Sequence, residues 1–240
     1  MSSVESRGAT EPPPQPNLLG LLMILTTTTG IVDAVSFVGL GRVFTANMTG
    51  NVVFLGFALG GVEGLSVERS LIALAAFATG ALVGGRLANR SIRPPAQQLT
   101  MAAAAEAVLL AGAAIVGFGE APPPSSFTTH ALIVLTAIAM GMRNAVVRKL
   151  GVADVTTTVL TLTITGLAAD SALAGGSRPR QGRRVVSILC MFVGALAGTA
   201  ILHSWGFTPP LTLASLLAAG VSVGALMKLR ASVPAALRTV

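Results

Sequence analysis

The sequence predicts an all-α membrane protein with six transmembrane helices and two re-entrant half-helix segments, arranged as a 3+3 inverted repeat. The first observation behind this prediction is composition, since 52% of the 240 residues are hydrophobic and only 10% are charged. The mean hydropathy of +0.78 is too high for an ordinary water-soluble domain. The other two observations are a set of long apolar runs and a pair of similar polar inserts.

Six apolar runs are each about as long as a helix that crosses a bilayer, which needs roughly 20 residues. They divide the chain into a cytoplasmic tail over 1–16, a first membrane repeat over 17–125, a second, inverted repeat over 126–230 and a cytoplasmic tail over 231–240. The first tail is polar and proline-rich, so we expect it to be disordered. The runs are Leu18 to Leu40, Leu71 to Ala88, Thr100 to Phe118, Ala131 to Val147, Val185 to Leu202 and Leu211 to Met227.

Two polar inserts, Arg42 to Gly60 and Val152 to Ala174, interrupt this apolar pattern and resemble each other. Asn144-Ala145-Val146 repeats Asp33-Ala34-Val35, and Thr157 and Thr161 fall where Thr45 and Thr49 lie. The motif GALVG at 80–84 likewise matches GALAG at 194–198. The chain therefore reads as two copies of one unit, each with a small-xxx-small pattern that lets helices approach closely.

The distribution of basic residues decides between two topologies, because Lys and Arg collect in cytoplasmic loops. If both inserts crossed the membrane, the 16 Lys and Arg would divide nine to seven. If each insert returns to the side from which it entered, the basic residues divide fourteen to two, with only Arg42 and Arg69 opposite the termini. This favours six spans with both termini in the cytoplasm, and three spans per copy make the second copy inverted. The same rule explains the net charge of +7 without nucleic acid.

Each insert predicts a half-helix that starts near the middle of the membrane. In the first insert, Arg42 to Asn47 would run inward as extended chain and Thr49 to Gly60 would return as a helix, capped by Asn47 or Thr49. In the second insert, Asp154 or one of Thr156 to Thr158 offers the same cap. Two helix N-termini would then point their N–H groups at one central site, which suits an anion or a carboxylate.

The candidate solute-binding residues are the polar groups at these predicted half-helix starts. Asp33 is costly to ionise inside a span, so its functional interpretation is proton or cation coupling. The structural interpretation, equally open, is a buried Asp that caps a half-helix or pairs with Arg143. The complete set is Asp33, Thr45, Asn47, Thr49, Gly50, Asn51, Asn144, Thr157, Thr161 and Thr163.

Other charged residues in apolar surroundings have ordinary interpretations. An Arg near a helix end commonly snorkels to the interface, which is the expected role of Arg143. Glu106 and Asp170 are expected to lie close enough to an interface to stay wet. His130 and His203 are expected at span ends rather than on a metal, and we expect neither a metal nor a cofactor.

Several of these motifs carry a family resemblance. The pattern G-x-x-D-A-x-x-F-x-x-x-G from Gly30 to Gly41, the block FTANMTGN at 44–51, and the M-G-x-x-N-A and V-T-T-T-x-x-T stretches resemble the YoaK family of bacterial membrane proteins, whose domain has no assigned function. The resemblance covers nearly the whole chain after the tail. It implies a multi-pass inner-membrane protein of about six spans.

The sequence leaves three functions open, and the first is favoured. The first is a secondary transporter or channel-like permease for a small solute, with an anion as a suitable class and no enzymatic activity. The second is a structural or partner-binding membrane protein, with a homo-oligomer formed through the faces of Gly80, Gly84, Gly194 and Gly198. The third, an intramembrane enzyme, lacks a recognisable nucleophile or metal set.

Overall fold

The computed structural model describes residues 18–119, 123, 126–151, 160–176 and 181–232. Within these ranges the protein is all-helical, with eight α-helices and one short 3₁₀ helix over Ala172–Ala174. The helices are α1 (Leu19–Gly39), α2 (Met48–Leu59), α3 (Val67–Asn89), α4 (Pro95–Val116), α5 (Phe127–Lys149), α6 (Leu160–Ala169), α7 (Gln181–Trp205) and α8 (Thr208–Ser232).

Six of these helices are long and apolar enough to cross a membrane, and they correspond to the six predicted runs. Most extend beyond the apolar run because their ends carry helix signals of their own. Ser66 caps α3 by accepting a hydrogen bond from the N–H of Arg69, and Ser126 caps α5 through the N–H of Thr129. Pro95 occupies the first position of α4, where its missing N–H costs nothing.

The remaining helices, α2 and α6, are apolar but too short to cross a bilayer. With 12 and 10 residues, they are about 18 and 15 Å long at 1.5 Å per residue. The structure starts α2 at Met48, one residue before the predicted Thr49, and caps it with Asn47, one of the two predicted caps. The predicted caps of the second insert, Asp154 and Thr156 to Thr158, lie outside the described residues, as do both predicted tails apart from the end of α8.

The spans pack mainly in pairs. Helix α3 packs along α5 and α7 packs along α1, while α4 contacts both α5 and α8 and α8 contacts α1. The first spans of the two halves, α1 and α5, are the most buried, and α3 and α7 are the least. Apolar side chains that remain exposed on α3 and α7, such as Leu82 and Leu196, therefore face the lipid.

Two small-residue interfaces hold the outer spans against the inner ones. On α3, a Cβ at Gly80 would lie against the backbone carbonyl of Ile138, and one at Gly84 against that of Met142. In return, a Cβ at Gly141 would meet the carbonyl of Phe77. Only glycine lets the α3 and α5 backbones approach this closely.

The interface between α7 and α1 is built in the same way. A Cβ at Gly194 would lie against the carbonyl of Thr27, one at Gly198 against the backbone of Ile31, and one at Gly30 against the carbonyl of Met191. All four glycines of the two GxxxG motifs are thus buried inside one chain. The expectation that Gly80, Gly84, Gly194 and Gly198 offer a homo-oligomer interface is not supported, because their faces are already occupied by α5 and α1.

Candidate functional site

A cavity of about 380 Å³ lies where the starts of α2 and α6 meet α1 and α7. Its polar wall combines a carboxylate, an amide and two hydroxyls with the backbone at Gly50. Its apolar wall comes from α2, α6, α7 and the residue before Asn47. The lining residues are Asp33, Ala46, Asn47, Thr49, Gly50, Val53, Phe54, Leu160, Thr161 and Met191.

Asp33 lies in the second half of α1 and is 5% exposed. Its Oδ1 accepts hydrogen bonds from the backbone N–H groups of Ala46 at 2.8 Å and of Thr45 at 3.2 Å. The carboxylate therefore already holds the chain that leads into α2. This agrees with the interpretation of Asp33 as a cap for a half-helix, and its position on the cavity wall is also what a coupling role requires.

Asn51 fixes the chain before α2 from the other side. Its Oδ1 accepts a 2.9 Å hydrogen bond from the N–H of Phe44, and its Nδ2 donates a 2.6 Å bond to the carbonyl of the same residue. The Phe44 ring stacks on Phe37 and on Phe54, with centroids 5.0 and 5.6 Å away, and the latter two rings are themselves 5.9 Å apart. A Cβ at Gly50 would clash with the Phe44 ring, so this position requires glycine.

Seven of the ten predicted site residues fall into two groups. Asp33, Asn47, Thr49, Gly50 and Thr161 line the cavity. Thr45 and Asn51 are completely buried behind it, where they shape the loop, and the Thr45 hydroxyl has no hydrogen-bond partner within the described ranges.

The remaining candidates come from the second half of the chain. Thr163 is the buried residue of α6, and neither it nor Asn144 is among the residues that line the cavity. Thr157 lies outside the described residues. Of the second-half candidates, Thr161 is the one that the structure brings to the cavity.

A buried ion pair joins α4 and α5 near this site. The Arg143 Nη1 lies 2.8 Å from Oε1 of Glu106, and both side chains are 0% exposed. Arg143 also donates to the carbonyl of Leu25 at 3.1 Å and to the hydroxyl of Thr29 at 2.6 Å, both on α1. The expectations of a snorkelling Arg143 and a wet Glu106 were wrong, because each charge stabilises the other inside the bundle and neither needs to reach water.

Asp170 and the two histidines lie near helix ends, as expected from the sequence. Asp170 is partly exposed and pairs with Arg184 at 2.6 Å. His130 lies 3.7 Å from Glu68 near the start of α5, and His203 is exposed near the end of α7. Within the part of the chain that the structure describes, no group of three or more His, Cys, Asp or Glu side chains could hold a metal ion.

Sequence reasoning missed the apolar wall of the cavity and the ion pair. Met191 is separated from Asp33 by most of the chain, and no local pattern marks it. The sequence contained one weak indication of the ion pair. Thr29 and Asp33 lie four residues apart and therefore form a polar face on α1. A polar stripe on a span requires polar partners from its neighbours, and Arg143 and Glu106 were the candidates.

Comparison with known proteins identifies the family. The family model described as "Protein of unknown function (DUF1275)" matches residues 21–224. The chain belongs to this family. Over 153 residues it is 40% identical to the UPF0700 transmembrane protein YoaK of Bacillus subtilis (strain 168), a match that covers 62% of the chain and 65% of that relative.

These comparisons confirm the predicted YoaK resemblance and, with the six apolar helices, a multi-pass membrane protein. The chain spans slightly less than two thirds of the length of the curated relative that it matches. No solved structure matches the chain. The chemistry of the site must therefore be argued from its own residues.

Proposed function

We propose that this DUF1275 member is a secondary transporter or channel-like permease that carries a small solute through the cavity between α2 and α6. The observation that carries the proposal is the cavity itself, in which Asp33, Asn47 and Thr161 converge from both halves of the chain. A purely structural membrane protein has no need of such a polar cavity. Its volume of about 380 Å³ falls in the range of small-molecule sites.

An inverted repeat is part of this proposal, and the glycine interfaces support it. Gly80 contacts Ile138, three residues before Gly141, just as Gly194 contacts Thr27, three residues before Gly30. Helix α3 of the first half thus packs on α5 of the second, and α7 of the second half packs on α1 of the first, as a two-fold axis in the membrane plane would require.

The short helices support the same symmetry. Asn51 in α2 and Thr163 in α6 are the buried residues of their helices, and they occupy equivalent positions in the two inserts. In this proposal both helices are re-entrant and enter the same bilayer from opposite sides. Such broken segments commonly surround the substrate site of secondary transporters.

The proposed orientation places both termini in the cytoplasm of a bacterial inner membrane. Because Arg143 is buried in the bundle, it does not belong to the charge count. One residue fewer on the cytoplasmic side leaves thirteen basic residues against two, Arg42 and Arg69. This bias remains strong under the positive-inside rule.

The charge of the solute follows from what Asp33 contacts. Two N–H groups before α2 are occupied by the Asp33 carboxylate, so a solute anion would compete with a charge already present. Protonation of Asp33 removes that charge and weakens its hold on these N–H groups. We therefore assign the site to a small anion that binds together with a proton.

Other charged groups near Asp33 fit this assignment. Arg143 and Glu106, from the neighbouring spans α5 and α4, neutralise each other. The carboxylate of Asp33 is then the net charge of the bundle centre within the described ranges. Its protonation would remove the negative charge that an anion meets in the cavity.

The structural alternative has less support than before. It depended mainly on the expectation that the glycine faces of α3 and α7 were free to bind a partner. Those faces are packed against α5 and α1. It also requires a filled centre, whereas the cavity adjoins polar groups on two short helices. An enzymatic role has no residue set to argue from in the described ranges.

The experiment combines binding with flux. Purified protein is screened by thermal unfolding against small anions, amino acids and metabolites, and each hit is tested for flux in proteoliposomes. A solute at 100 times its Kd stabilises the folded protein by about 2.7 kcal/mol. We expect this gain to fall in Thr161→Val and to persist in Thr79→Val, a matched change on the exposed face of α3.

Two outcomes would contradict the proposal. Equal stabilisation of both Thr→Val variants would place the solute elsewhere. Proteoliposomes that remain impermeable to every panel solute, although the protein is folded, would support the structural alternative.

A further inference from the structure

The turn between α3 and α4 carries a concentrated positive charge. Arg86, Arg90 and Arg93 are exposed and line one surface cavity of about 390 Å³, together with Leu87, Ser91 and Ile92. None of the three arginines has an acidic partner among the residues that the structure describes. Three guanidinium groups therefore share one wall without a counter-charge.

An apolar groove adjoins this basic cavity. The groove has a volume of about 160 Å³ and lies between α3, α4 and α5. It shares Leu87, Ser91 and Arg93 with the basic cavity, so the two spaces adjoin. The rest of its wall is mostly apolar and consists of Ala88, Gln98, Met101, Ala102, Ala105, Met142 and Val146.

The basic cavity and the adjoining groove together form one double cavity. Its position in the membrane indicates the chemistry of its ligand. Two spans end at the turn, which places the arginines at the level of the lipid headgroups and the groove at the level of the acyl chains. Arg binds phosphate through two parallel hydrogen bonds and a full charge. Basic pockets between spans are suited to anionic headgroups.

We infer that this double cavity is a binding site for an anionic phospholipid, with its phosphodiester held by Arg86, Arg90 and Arg93 and one acyl chain in the groove. The charge complementarity selects an anionic headgroup over a zwitterionic one. The adjoining apolar groove selects a lipid over a free phosphate, because a soluble phosphate would leave that surface unfilled. The site is separate from the cavity at Asp33 and does not depend on the proposed transport function.

The test uses native mass spectrometry of the detergent-purified full chain. The protein is titrated with phosphatidylglycerol and with phosphatidylcholine of identical acyl chains. We expect tighter retention of phosphatidylglycerol by the natural sequence. A charge-assisted hydrogen bond to a phosphate contributes roughly ten-fold in affinity, so Arg90→Gln with Arg93→Gln should weaken phosphatidylglycerol binding by about ten-fold or more.

A matched control removes the same charge elsewhere. Lys228→Gln with Arg230→Gln takes two positive charges from the end of α8, outside both cavities. This variant should bind phosphatidylglycerol as the natural sequence does. A loss equal to that of the Arg90 and Arg93 variant would mean that net charge alone attracts the lipid, and the site would be rejected.

A second variant tests the groove and separates lipid from phosphate. Ala105→Phe should fill the groove and weaken phosphatidylglycerol, while leaving the arginines in place. Glycerophosphoglycerol, the same headgroup without acyl chains, should compete poorly with the lipid. Competition by glycerophosphoglycerol or inorganic phosphate at the concentration of the lipid would overturn the inference, as would equal retention of the two lipids.

Discussion

Glu106 on α4 and Arg143 on α5 are joined by a 2.8 Å hydrogen bond, with neither side chain exposed. The same guanidinium reaches α1 through the carbonyl of Leu25 and the hydroxyl of Thr29. Three spans therefore meet at one charged group. Thr29 lies one helical turn before Asp33, so the ion pair fixes the part of α1 that carries the cavity carboxylate.

Removal of one member of this pair should be severely destabilising. Arg143→Met leaves the Glu106 carboxylate buried without a counter-charge, which costs about 3–5 kcal/mol. Glu106→Leu leaves the guanidinium in the same position and should cost a similar amount. Thermal or denaturant unfolding in detergent, compared with the natural sequence, measures both losses.

The double variant Glu106→Leu with Arg143→Met should be more stable than either single variant. It removes both charges, so the penalty for an unpaired ion disappears. Additive losses in this double-mutant cycle would show that the two residues act independently and would refute the ion pair as the stabilising interaction.

Asn51 and Asn47 should give opposite results, although both lie at the start of α2. Asn51→Leu removes both hydrogen bonds to Phe44 and leaves its N–H and carbonyl unsatisfied, at about 1–3 kcal/mol for each group. Asn47→Ala removes one 3.4 Å cap bond to Gly50 from an exposed residue, which costs less. We expect the first to lower the melting temperature strongly and the second to affect chiefly solute binding. Equal melting temperatures would contradict this division of roles.

The glycine interfaces predict paired effects in the two halves. Gly80→Val and Gly194→Val each drive a side chain into a backbone carbonyl, at Ile138 and Thr27, and overpacking costs about 1–3 kcal/mol. The two variants should therefore lose similar stability in thermal unfolding. Gly85→Val is the matched control, because nothing lies within 4 Å of a Cβ there. A large loss at Gly80 with none at Gly194 would count against equivalent halves.

Local features of the fold could be predicted from the sequence. Six spans follow from apolar length, and the start of α2 follows from Asn47, because a side chain that caps its own helix acts within a few residues. The family followed from motifs around Asp33. These features depend on hydrophobicity and short-range hydrogen bonds, which a single sequence displays directly.

The contacts between distant spans could not be predicted in this way. The sequence places Arg143 near the end of α5, where snorkelling is the usual outcome, and nothing local indicates that Glu106 faces it. The apolar cavity wall at Met191 depends on how α7 packs along α1. Long-range packing also decided the role of the GxxxG motifs, whose residue pattern is the same for an internal interface and for an oligomer.

The proton-linked anion site makes a signed prediction for pH. If Asp33 repels a solute anion, protonation removes a repulsion of about 3 kcal/mol for charges roughly 5 Å apart at an effective dielectric constant of about 20. The thermal stabilisation by an anionic solute should therefore grow as the pH falls. In Asp33→Asn, which lacks the charge at every pH, stabilisation should be strong and independent of pH. Glu63→Gln, a matched change at an exposed loop residue, should keep the natural pH dependence. Stabilisation that instead weakens at low pH and vanishes in Asp33→Asn would identify a cation as the solute and would reject the anion.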